Sequence, residues 1–255
     1  MHHMLPYRSN TMILAVGGPP SVAVPTMGSL HLLDVSGENL ASIPHSPDDG
    51  TVLRSLDIAG FALFEQGFEV SNLYSLANGP NGDLYIVDSG ANSVFHYDIS
   101  TRALTVLATF PEVENAPGVD PPVSDSVPTK IVYAGGNKFY VAELTGYPFT
   151  PGKSRLWQLD TFGNLTELLD GFSTVVDIAI APDRSGLVVV SIGEWSDDFG
   201  NFLPETGTIQ KVLPNGKVEP ILEGLVLPTS IAFAKGGDLY ISSVATGQIL
   251  MLENR

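Results

Sequence analysis

The chain has 255 residues, 44% of them hydrophobic, with 26 Gly and 19 Pro. That composition supports one large core and many tight turns, and excludes a disordered chain. Lys and Arg total 12 against 28 acids, and the net charge of −16 excludes partners that need a basic surface, namely nucleic acid and anionic membranes; zero cysteines exclude disulfides, thiolate metal sites and cysteine nucleophiles.

Residues 1–10 read as a disordered or tag-like end, and 11–255 as a single propeller domain. The apolar run 12–16 is far too short for a signal-peptide core, and no apolar run is longer than a strand. Residues 11–60 read as strands at 12–16, 29–34 and 52–58, with no recognisable strand before them. Residues 71–110 give a full four-stranded unit at 74–79, 83–88, 93–98 and about 103–109. A second unit spans 127–172, its last two strands at 155–159 and 165–169. A third spans 173–225, with strands at 208–213 and 218–222 around an Asn215-Gly216 turn. Residues 226–255 supply three strands, the last at 248–252.

These units are one repeat. Leu76-Ala77 leads through a turn to Asp83-Leu84-Tyr85-Ile86, and Ile131-Val132 to Lys138-Phe139-Tyr140-Val141. Ile178-Ala179 leads likewise to Gly186-Leu187-Val188-Val189, and Ile231-Ala232 to Asp238-Leu239-Tyr240-Ile241. Each is a β-hairpin signature. The second strands begin at 84, 139, 187 and 239, steps of 55, 48 and 52 residues, the spacing of β-propeller blades. The expectation is an all-β propeller of about five blades, three complete and two partial. Open strand edges on the partial blades predict self-association as a homodimer or higher oligomer.

Three long segments interrupt the repeat: 111–126, 145–154 and 194–207. Loops of this length either decorate the surface or wall a pocket. Tyr147 and Trp195 stand on two of them, where they line a binding mouth or cover the core.

Several runs carry a family resemblance. Ser126-Val127-Pro128-Thr129, the run Glu143-Leu144-Thr145-Gly146-Tyr147-Pro148-Phe149, Asp83-Leu84-Tyr85-Ile86-Val87-Asp88 with Asn92, and Val176-Asp177-Ile178-Ala179 together resemble the ScyD/ScyE (scytonemin-biosynthesis-type) propellers. The resemblance covers roughly 60–255 and implies an NHL-like propeller, six-bladed in the family and often exported or periplasmic. Relative to that pattern the chain lacks blade material before Thr11.

Naming each blade's strands a to d from the axis outward, the start of a and the end of b share one rim. Ser75, Lys130, Asp177 and Ser230 fall at equivalent a positions, each preceded by Tyr74, Thr129, Val176 or Thr229. Asp88, Glu143, Ser191 and Ser243 end the b strands, with Glu194 three residues beyond Ser191. Two carboxylates about 6 Å apart repel by roughly 3 kcal/mol at an effective dielectric near 20. A cluster of Asp88, Glu143, Asp177 and Glu194 therefore needs a cation, a shared proton or a partner such as Lys130. Oxygen ligands of this kind suit a divalent metal, Ca²⁺ above all. Each acid can instead cap a strand end by accepting backbone N–H bonds. His31 and His96 fall in c strands, away from the axis, as packing or surface residues.

Two function classes follow. The first is a promiscuous metal-dependent hydrolase of lactones, esters or phosphotriesters, as in the calcium-dependent gluconolactonase and paraoxonase types, although the Glu-Gly-Pro opening of the former is absent. Asp88, Glu143 and Asp177 are its catalytic candidates and, with Glu194, its metal ligands. Tyr74, Asn92, Thr129, Lys130, Tyr147, Trp195, Thr229 and Ser243 are its substrate-binding candidates. The alternative is a non-catalytic module that holds a peptide, glycan or small molecule.

Overall fold

The computed structural model describes residues 3–8, 11–16, 28–34 and 52–254. The chain forms two compact units, Met1–Thr109 and Phe110–Arg255.

The first unit holds two four-stranded antiparallel meanders. One contains β1 (His3–Arg8), β2 (Thr11–Val16), β3 (Ser29–Asp34) and β4 (Val52–Asp57), and the other β5 (Leu73–Asn78), β6 (Leu84–Asp88), β7 (Ser93–Tyr97) and β8 (Leu104–Thr109). β1 corrects the sequence reading of 1–10, which placed no strand there. It pairs with β2 from His3 opposite Ala15 to Arg8 opposite Thr11. Pro6 interrupts the strand pattern, and a proline is tolerated because β1 is an edge strand. The first blade is thus complete.

Side chains pointing to one face of each sheet build the core between the two meanders. Ile13, Ala15 and Leu30 meet Leu73, Leu76, Ile86 and Phe95. A short helical turn, Ile58–Gly60 running into Phe61–Glu65, closes this core. Asp57 starts that turn by accepting the Gly60 N–H at 2.7 Å, and Phe61 meets Phe95 edge-on at 5.5 Å. Phe95 is fully buried, so truncating it to Ala would cost about 3–5 kcal/mol.

The second unit carries three meanders and two short ribbons. β9 (Val113–Glu114) pairs with β10 (Val123–Ser124) inside the segment that precedes the third blade. That blade is β11 (Pro128–Gly135), β12 (Lys138–Glu143), β13 (Ser154–Asp160) and β14 (Leu165–Phe172). The fourth blade is β15 (Val175–Ile180), β16 (Leu187–Ser191), β19 (Gly207–Val212) and β20 (Val218–Leu225). Between its b and c strands stands the ribbon of β17 (Trp195–Ser196) and β18 (Asn201–Phe202). β21 (Pro228–Phe233), β22 (Leu239–Ser243) and β23 (Ile249–Leu252) form the last, three-stranded blade.

β14 and β20 run three residues beyond the sequence expectation. Gly171 and Gly224, both at positive φ, hide the strand ends from a pattern reading. Blades pack face to face: Leu156 and Phe172 against Ile178 and Val189, and Val188, Val190 and Ile209 against Ile231, Leu239 and Ile241. At Gly207 the approach is close enough that an added Cβ would stand 2.3 Å from Pro228 Cδ. β23 leaves Ile249 72% and Met251 52% exposed, and no described strand pairs with its outer edge.

Candidate functional site

The start of strand a has the same construction in four blades. Between Leu73 and Ser75, Pro128 and Lys130, Val175 and Asp177, and Pro228 and Ser230, the register with strand b slips by one residue. The bulged residues are Tyr74, Thr129, Val176 and Thr229, the set aligned from sequence. Opposite them, Asp88, Glu143, Ser191 and Ser243 end the b strands in equivalent register. Just before each bulge, a carbonyl accepts the N–H that follows strand b: Asn72 from Ser89, Val127 from Leu144, Thr174 from Ile192, and Leu227 from Val244. Val127, Thr174 and Leu227 adopt positive φ, an arrangement that costs a non-glycine residue about 1–3 kcal/mol and persists only where its surroundings impose it.

Asp88, in the first unit, is fully buried and serves this construction. Its oxygens accept from Ser71 Oγ at 2.5 Å, Asn72 N at 2.6 Å, Gly90 N at 3.1 Å and Ala91 N at 3.0 Å. Burial raises its pKa, and the four donors pull it down. The carboxylate fastens the end of strand b to the start of strand a, and its lone pairs are occupied by the protein. Nearby, Asn92 sits at positive φ, half-buried, in the same turn.

In the second unit, Glu143 turns away from strand a onto strand c of its own blade. It is fully buried, accepting from Arg155 Nε at 2.9 Å and from Trp157 Nε1. Arg155 lies over the Trp157 ring, 4.7 Å from its centroid, and donates to Pro111 O at 3.3 Å. Burial pushes the Glu143 carboxyl up to about 7, outweighing the opposing pull of Arg155.

Asp177 reaches along the inner strands instead. Lys130 Nζ stands 3.2 Å from its Oδ1, and Ser230 Oγ and Ile231 N donate to Oδ2 at 2.7 and 2.8 Å. The three aligned residues Lys130, Asp177 and Ser230 thus form one polar line across three successive blades. Glu143 and Asp177 share none of these partners. Among the described residues, no three His or acidic side chains gather as a metal site. Within each unit, protein donors fill the buried acids Asp88, Glu143 and Asp177.

The hydroxyls fare likewise. Thr129 is fully buried and donates to Val175 O at 3.2 Å and Ala142 O at 3.4 Å. Thr229 pairs with Ser242 at 3.1 Å, and Ser243 donates to Val226 O at 2.6 Å. Tyr74 is half-buried on its bulge. Glu194 carries its carboxylate into solvent, while its N–H bonds Thr206 Oγ1 at 2.8 Å and its carbonyl accepts from Leu203 N. The c-strand histidines pack as expected, His31 bonding Ser55 at 2.8 Å and His96 bonding Asp83 at 3.1 Å.

What the structure does bring together is the three long segments. Thr145 N bonds Ser126 O, and Gly146 N bonds Asp125 O. Gly146 passes so close to Asp125 that a Cβ there would lie 3.2 Å from its backbone N. Thr150 Oγ1 reaches Asn115 Oδ1 at 2.8 Å. Rings from 145–154 and 194–207 then interlock. Phe149 lies 4.9 Å from Trp195 and 5.1 Å from Phe202, and Tyr147 meets Trp195 edge-on at 6.3 Å. Asp197 binds both rims: it accepts from Trp195 Nε1 at 2.8 Å and from the Tyr147 hydroxyl, whose pKa its charge raises. Tyr147 remains 54% exposed and Phe199, at the tip of the ribbon, 77%. Tyr147 and Trp195 were legible as loop aromatics. Phe149, Phe199, Phe202 and Asp197 were not, although aromatic residues recurring in two insertions of one chain are a usable signal.

No protein-family model and no curated protein matches the sequence. Several solved structures do match the fold. A streptogramin B lyase superposes with a TM-score of 0.58 at 14% identity, covering 99% of this chain and 68% of that one. A catalytically inactive virginiamycin B lyase from Staphylococcus aureus, solved with quinupristin, gives 0.58 at 15%, covering 99% and 67%. Regucalcin from Agrobacterium tumefaciens, a calcium-binding protein, gives 0.53 at 15%, covering 94% and 72%. The chain is a five-bladed β-propeller. Identities this low carry the fold and nothing beyond it.

Proposed function

We propose that this propeller is a non-catalytic binding module, holding its ligand on the aromatic face built by 145–154 and 194–207. The observation that carries this reading is the Tyr147–Phe149–Trp195–Phe202 cluster, cross-linked by Asp197, with Tyr147 and Phe199 turned to solvent. Exposed aromatic rings on a rigid base are what recognition surfaces use for anchoring contacts. The Glu143–Phe149 run that resembles the ScyD/ScyE-type propellers supplies half of this face, Tyr147 and Phe149.

The test uses the intact chain and its two tryptophans, of which Trp157 is buried and Trp195 lies on the face. Neutral oligosaccharides, acidic and basic peptides and small aromatic compounds are titrated while tryptophan emission is followed, beside a Phe199→Ala variant. At least one class should bind and weaken in the variant. No binding that depends on Phe199 would sink the reading.

A second reading, a divalent-metal-dependent hydrolase of lactones, esters or phosphotriesters, draws support from Glu143, whose proton exchanges near neutrality. The likeness to calcium-binding regucalcin points the same way. Against it, the described acids do not fit a cation, because Asp88, Glu143 and Asp177 are filled by protein donors. Stoichiometric calcium in the purified protein, with EDTA-sensitive hydrolysis of a lactone or phosphotriester, would replace the binding reading with this one.

A further inference from the structure

The inserted segments share a charge as well as a face. Residues 111–126 contain Glu112, Glu114, Asp120 and Asp125 and no Lys or Arg. Residues 194–207 contain Glu194, Asp197, Asp198 and Glu205, again with no base. All of these acids are exposed. Residues 145–154 add only Lys153, while the next cation, Arg155, is turned inward onto Glu143. Two of the acids act directly on the aromatic face, because the charges of Asp197 and Asp120 both raise the Tyr147 pKa.

We infer that this face docks a basic polypeptide segment, one presenting arginine or lysine side chains; the inference rests on the binding reading above. Two physical features choose that occupant. The first is complementarity: exposed carboxylates beside exposed rings favour a cation that lies on a π-face while pairing with an acid, as arginine does. The second is packing. Ring centroids of Phe149, Trp195 and Phe202 stand 4.9 to 5.2 Å apart, so the rings fill the space among themselves and leave none for an enclosed small cation. Contact is left to the outer surfaces of Tyr147 and Phe199, which suits an extended chain spread over the face. The chain-wide charge of −16 would draw such a partner in from a distance, with the rings supplying specificity at contact.

The experiment measures fluorescence anisotropy of a labelled peptide of alternating Arg and Gly with the full chain, at low and at physiological ionic strength. A matching Glu-Gly peptide and a neutral oligosaccharide are the comparison probes. The basic peptide should bind, and Phe199→Ala should weaken it by about tenfold, as loss of an interface anchor does. Asp198→Asn should weaken it by a few-fold, more at low salt than at high. The paired control Asp170→Asn with Glu223→Gln removes two exposed acids outside these segments and should change nothing. Equal weakening by the control, or no effect of Phe199→Ala, would mean bulk charge attraction and overturn the inference. Phe199-dependent binding of the acidic or neutral probe instead would overturn it while leaving the binding reading standing. If no probe binds, the inference falls here and the wider panel decides the reading itself.

Discussion

Replacing Glu143 with Gln makes a pH-dependent prediction with a defined sign. In the folded protein the carboxyl titrates at about 7, against an ordinary value of 4.5, because burial outweighs the attraction of Arg155. Between those two values the folded state retains a proton that the unfolded state has released. Stability from this group is therefore fully present below pH 4.5 and lost as pH rises through 7. The slope is about −1.4 kcal/mol per pH unit across the window, or about 3 kcal/mol in all. Glu143→Gln keeps the shape and removes the titration, so the wild-type-minus-variant difference in unfolding free energy should fall by that amount as pH rises from 4.5 to 8. Urea unfolding followed by tryptophan emission reads it well, because the Trp157 indole bonds this carboxylate. Carboxylates elsewhere cancel in the difference. A difference curve that is flat across the window would refute the argument, since it would mean that Arg155 dominates and the folded carboxylate stays charged as it does in the unfolded chain.

Two more predictions concern packing and polar contacts between blades. Asp177→Ala should destabilise the protein by about 3–5 kcal/mol, because it leaves Lys130 without its ion pair and orphans the Ser230 and Ile231 donors. Adding Lys130→Met should recover part of that loss in a double-mutant cycle, and strict additivity would mean the pair is not coupled. Gly207→Ala should cost about 1–3 kcal/mol in urea unfolding, since the new methyl meets the Pro228 ring; wild-type stability in the variant would place the two blades further apart than described.

The hairpin repeat was legible because its cause is local. Apolar strands separated by Gly, Asn and Asp turns at a near-constant spacing leave few alternatives to stacked blades, and observed strand bounds fall within one to three residues of those read. Equivalence of Ser75, Lys130, Asp177 and Ser230, and of Asp88, Glu143, Ser191 and Ser243, was legible for the same reason: register follows from the pattern. β1 was not legible because Pro6 breaks the strand signature and the strand is defined by its pairing with β2. Where each side chain points was decided only in three dimensions. Glu143 and Asp88 occupy equivalent positions, yet one reaches strand c and the other the turn beside its own strand. A glutamate is one methylene longer, and Arg155 and Trp157 stand on the neighbouring strand to receive it. Sequence position determined which strand ends carry acids. Tertiary structure determined that protein donors satisfy them, and that rings from insertions some fifty residues apart in the chain meet as one exposed face. Such contacts depend on how separate blades stack, which strand periodicity does not encode.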